Sequence, residues 1–112
     1  MSSRTQAYLW LAQRASAMVL AFCVAVHLAT LIYAARGGLS AAEILGRTRG
    51  NVGWLAFYCL FVAAVSLHAP IGLRAVLAEW TAWRGRSRDA FLLFFALALL
   101  ALGLRAAFAV FG

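Results

Sequence analysis

Two histidines, one carboxylate and several arginines lie within or at the rims of long apolar runs. Ionisable side chains in such runs are costly, which makes them functional candidates. The densest group is His68 to Trp80, reading H-A-P-I-G-L-R-A-V-L-A-E-W. His68 and Glu79 are eleven residues apart, about 1100° of helical rotation or roughly 20° after whole turns, so they share one face. Ala64, Gly72 and Ala75 keep that face small around the histidine, and Pro70 removes the N–H that the Ser66 carbonyl needs, which predicts a bend. In the first apolar run Ser16, Leu20, Cys23, His27 and Thr30 follow at helical spacing, again with small residues flanking a histidine. Close helix packing and a groove for a flat cofactor both fit this stripe.

Imidazole in an apolar setting offers a hydrogen bond between helices, a proton carrier or a metal ligand. Two histidines, each with small neighbours, favour ligation. Zinc and copper sites usually collect further His, Cys or carboxylate ligands, which this chain lacks in number, and Cys23 and Cys59 read as buried packing. Haem asks for one axial histidine from each side, an apolar slot and cations for its propionates. Arg74 follows His68 by six residues, ~9 Å of helix, and His27 follows Arg14 by thirteen, ~20 Å. The histidines thus lie at different depths, and each needs a partner from another helix or subunit. Arg105 reads as a snorkelling residue or as a propionate contact for a haem near His27.

The elements that must carry these residues are transmembrane helices. The chain has 112 residues, 66% hydrophobic and 12% charged, which is membrane-protein composition. Three apolar stretches are each long enough to cross the hydrocarbon core, predicting helices over about 8–35, 52–80 and 89–111 in a single anchor domain, 1–112. Between the first two, Ser40 and Glu43 form a capping-box pattern that opens a short interfacial helix, and Ser87 or Asp89 is expected to cap the third span. Every basic residue is Arg, and the formal charge is +7. These arginines sit at segment ends, where they act as topology signals and headgroup contacts, not as a nucleic-acid surface. Arg4, Arg14, Arg74, Arg84, Arg86 and Arg88 outnumber Arg36, Arg47 and Arg49, which places the N-terminus and the second connection on the cytoplasmic side.

On Q-R-A-S-A-M-V-L in the first span and H-A-P-I-G-L-R-A-V-L-A-E-W at the end of the second, the chain resembles the small membrane-anchor, cytochrome b type subunit of succinate dehydrogenase / quinol:fumarate reductase, the respiratory complex II. The resemblance covers nearly the whole length. It implies an all-α fold of three transmembrane helices, half of a heterodimeric bundle in a bacterial-type cytoplasmic membrane. The partners it implies are a second anchor subunit, an iron-sulfur subunit and a flavoprotein, together with lipid and quinone. His68 matches the family's haem ligand, Gly72 its glycine four residues on, Glu79 and Trp80 its acidic-aromatic pair, and Arg14 its arginine near the quinone and the haem propionates. Trp80 stands where the family's small anchors carry a tyrosine, and an indole N–H donates only. His27 has no counterpart in single-haem members and is similar to the two-haem ones. Implied cofactor contacts are therefore His68, His27, Arg14, Arg74, Gly72 and Ser16, with the two histidines on haem iron; Trp80, Glu79 and Arg14 border the quinone. Two haems b per complex, shared with a partner subunit, are expected. Dicarboxylate chemistry belongs to the partners. A small non-redox membrane protein, such as a transporter or assembly factor, and a stand-alone b-type cytochrome dimer are the alternatives.

Overall fold

The computed structural model describes residues 2–38 and 40–112, all in helices and short connections, with no strand among them. The helices are α1 (Ser3–Arg36), α2 (Ala41–Thr48), α3 (Val52–Trp80) and α4 (Arg86–Phe111). α1, α3 and α4 are each long and apolar enough to cross a membrane. α3 lies between the other two and packs on both, while α2 rests against α4. The molecule is 49 Å long and 24 × 22 Å across. Its ends therefore overhang a hydrocarbon core of ~30 Å.

Small side chains allow these helices to meet. The buried residues are Ser16, Cys23 and Ala34 on α1, Ala64 and Pro70 on α3, and Arg88, Leu92 and Ala107 on α4, as expected where helices associate through close backbone approach in lipid. The tightest approach is at Gly103 of α4, where an added Cβ falls 2.5 Å from Cγ1 of Val62. Large apolar side chains point outward instead, with Met18, Phe22, Phe94 and Leu102 all exposed. α3 runs through Pro70 without ending, and the Ser66 hydroxyl one turn earlier is buried with no hydrogen-bond partner.

The helix ends follow local chemistry. Ser40 accepts from the Glu43 amide at 3.1 Å, the N-cap half of the expected capping box, and Asn51 caps α3 through the Trp54 amide at 3.2 Å. Two boundaries differ from expectation. α1 begins at Ser3, because Ser2 accepts from the Thr5 amide and carries the helix back through polar residues. α4 begins at Arg86 after Gly85, whose φ of 93° only glycine adopts readily, and neither Ser87 nor Asp89 caps it. Both side chains are engaged elsewhere: Ser87 accepts from the Trp83 indole at 2.8 Å, and Asp89 pairs with Arg88 at 2.9 Å. Arg84 closes the C-terminus of α3 by donating to the carbonyls of Ala78, Thr81 and Trp83. At the opposite end the Gly50 amide donates to Phe111 at 2.8 Å and ties the α2 connection to the end of α4.

Candidate functional site

Each histidine stands at the α1–α3 contact, at its own level. Ser16, which pairs with His68, precedes His27 by eleven residues on α1, about 16 Å of helical rise. The two rings therefore serve separate sites.

At the first level Gly72 lets α1 and α3 approach. A Cβ there would fall 3.3 Å from Nε2 of Gln13, so the Gln13 side chain takes up the room beside Gly72. One turn along, the Ser16 hydroxyl lies 3.3 Å from Nδ1 of His68 and donates to the Gln13 carbonyl at 3.1 Å. Which of the two groups donates depends on the ring tautomer; with the ring proton on Nδ1 the serine oxygen accepts, and Nε2 keeps the lone pair that a metal needs. Ser16 is only 4% exposed, so water does not compete for the bond.

Around this node the carbonyl oxygen of the Gln13 amide is buried without a partner. Arg74 borders a small cleft of about 200 Å³ with Ser66 and Pro70, on the α4 side of α3. Arg14 is exposed, its guanidinium 5.4 Å from the centre of the Trp10 ring. Glu79 is exposed, and Trp80, at 81%, is the most open large side chain of α3. His68, Ser16 and Gly72 thus come together with Gln13, while Arg14 is exposed near their level and Glu79 and Trp80 are exposed at the C-terminal end of α3. The sequence reading used Ser66 only for its carbonyl and Gln13 only as the first letter of Q-R-A-S-A-M-V-L, and gave neither side chain a role, since a lone amide or hydroxyl in an apolar run carries no periodic signal.

At the second level His27 meets an aromatic wall. Its Nδ1 is 3.5 Å from the Tyr58 hydroxyl, and the Tyr58 and Phe61 rings stand edge-on to it at 5.8 and 5.7 Å. Beside it opens an apolar cavity of about 630 Å³, walled by Thr30 of α1, Val62 of α3 and Gly103 of α4, and covered by α2 at Arg47. The Thr30 hydroxyl is turned back to the Val26 carbonyl at 2.8 Å. Arg105 does not reach this cavity: its neighbours Gly103, Ala106 and Ala107 line it, and Arg105 lies on the exposed side of α4. The cation there is Arg47, stacked over the Tyr33 ring at 4.4 Å. Arg47 and Tyr58 were not singled out from sequence, because only the return of α2 and α3 onto α1 brings them to His27.

Among curated proteins and solved structures none matches the chain. A family model does, that of the succinate dehydrogenase/fumarate reductase transmembrane subunit, over residues 1–104. That stretch contains both histidines, the Ser16 contact and the Glu79–Trp80 rim. With nearly the whole chain matched and three helices able to span a bilayer, the protein belongs to the succinate dehydrogenase/fumarate reductase transmembrane subunit family and is a membrane-anchor subunit.

Proposed function

We propose that this chain forms half of a two-subunit helical bundle, ligates haem b through Nε2 of His68, and borders a quinone site at the Arg14, Arg74, Glu79 and Trp80 end. In that role it helps electrons pass between an iron-sulfur subunit and the quinone pool, while a flavoprotein partner handles the dicarboxylate. The observation that supports the reading is the Ser16–His68 contact, which holds Nδ1 at a buried hydroxyl and is compatible with ligation through Nε2. The other residues suit the group as well: Gly72 brings the two helices together, and Arg14 and Arg74 lie on the end where propionates would be neutralised. Haem, when bound, supplies one-electron chemistry. The chain's own residues orient and exchange protons: the Trp80 indole donates a hydrogen bond toward a quinone oxygen, and Glu79 carries protons between that rim and water. Six arginines against three support a cytoplasmic location for this end. Membership of the family favours this reading over a transporter or a stand-alone cytochrome.

The test is the reduced-minus-oxidised spectrum of the complex purified with its partners. His68→Ala is expected to abolish a b-type signal; unchanged haem content sinks the assignment of His68.

A second reading is favoured by the cavity at His27, whose volume of about 630 Å³ falls in the range of sites that bury a flat apolar ligand. His27 would then hold a second haem, with a further ligand supplied by the partner anchor. Two haems per complex are expected, and His27→Ala removes one. A stoichiometry of one rejects this extension.

A further inference from the structure

We propose that α2 is the outer wall of the cavity at His27, and that Arg47 and Glu43 on it set the reduction potential of the haem held there. The inference rests on the two-haem reading and adds residues to which that reading gives no role.

The cavity is almost wholly apolar, and its polar side chains fall into two groups. His27 and Tyr58 face each other at one end; Glu43, Arg47 and Thr48 on α2 lie at the other. The Thr48 hydroxyl is committed to the Ile44 carbonyl at 3.0 Å, as Thr30 is to Val26. That leaves the imidazole, the phenol, the Trp54 indole N–H, one guanidinium and one carboxylate as the polar groups able to act on an occupant, the last two being the charged ones. Nδ1 of His27 lies 3.5 Å from the Tyr58 hydroxyl, and ligation through Nε2 requires the tautomer with the ring proton on Nδ1.

Position follows from α1. Tyr33 is six residues beyond His27, ~9 Å along the helix, and Arg47 sits over its ring at 4.4 Å. Arg47 thus lines the α2 wall of the cavity while its guanidinium is held over the Tyr33 ring. A cation–π contact fixes Arg47 without neutralising it, so its charge remains available to an anion. Glu43 precedes Arg47 by one turn of α2 and lines the same wall with the opposite charge. The Gly50 amide on Phe111 ties the C-terminal side of α2 to the end of α4, and the buried Thr48 packs at the same end.

The two charges act in opposite directions. Ferric haem carries one more positive charge than ferrous, so a cation nearby favours the reduced form and an anion the oxidised form. For a charge on the cavity wall in a partly screened setting, the ferric-to-ferrous ratio changes by about threefold to tenfold, tenfold being about 59 mV for one electron.

The experiment is a potentiometric titration of the intact complex followed by optical spectra, with both haems resolved. Arg47→Gln is expected to lower the midpoint of the His27 haem, Glu43→Gln to raise it, and Arg47→Lys to restore it, with the His68 haem unmoved. Two haems whose potentials ignore both substitutions, or move the same way in both, overturn this inference alone. A complex with a single haem overturns the two-haem reading and this inference with it.

Discussion

At the scale of single residues the informative contact is one hydroxyl on one ring. His68 was legible in the sequence, because a histidine inside an apolar run next to Pro70 and Gly72 is costly without a task. Ser16 was visible too, as part of the stripe that leads to His27, yet spacing along α1 says nothing of which histidine on which helix it meets. The fold pairs it across α1 and α3 with His68, 52 residues away. At the proposed haem site, Ser16→Ala would keep the His68 imidazole but remove the hydroxyl that holds its Nδ1. Such losses around a ligand histidine typically cost 10–100-fold in affinity. We expect Ser16→Ala to lower haem retention during detergent exchange by about that range while the b-type spectrum persists, and Ser16→Thr to retain haem like the parent. Retention equal to the parent in Ser16→Ala separates the serine from the ligand.

The helices themselves were read well from composition, and their contacts were not. Length and apolarity decide that a segment spans a bilayer; which residue lets one helix approach another depends on the partner surface. Gly103 shows the difference, since nothing in A-L-L-A-L-G-L-R marks it as a contact, and only the facing Val62 on α3 makes a side chain there impossible without movement. The span ends differed for similar reasons: Ser87 and Asp89 have capping chemistry, but Trp83 and Arg88 engage them first. Gly103→Ala forces Val62 or the whole of α4 to shift, an overpacking that costs about 1–3 kcal/mol. Val62→Ala removes the colliding methyls, so the double variant is expected to recover most of that loss. Thermal unfolding of the four members of this cycle in detergent measures it; additive single effects remove the claim that these two positions touch.

Across the whole molecule the two histidine levels and the charged ends define a polarity that neither helix nor residue shows alone. α1, 34 residues long, rises ~51 Å and overhangs the hydrocarbon at both ends. The polar turn from Ser3 to Gln6 then shares one end with Trp80 and the Arg84–Arg88 connection, while α2 lies at the other. The cavity at His27 could not be read from sequence, since it exists only because α2 folds over the far ends of α1 and α4. The arginine count, six to three in favour of the Trp80 end, predicts that this end is cytoplasmic, and on the proposed function that orientation would decide which face receives soluble partners. Asp89 offsets Arg88 locally at 2.9 Å, but acidic residues contribute little to this bias. Ala42 on α2 and Ala82 after α3 are both exposed and suit cysteine substitution, while the native Cys23 is fully buried and Cys59 lies within a span. In intact cells, where the periplasmic side is reachable, a membrane-impermeant maleimide is expected to label Ala42→Cys, and to label Ala82→Cys only once the cytoplasmic side is opened. The reverse pattern would put the Glu79–Trp80 rim outside. It would then remove the basis for docking an iron-sulfur partner beside the quinone, even with both histidines correctly assigned.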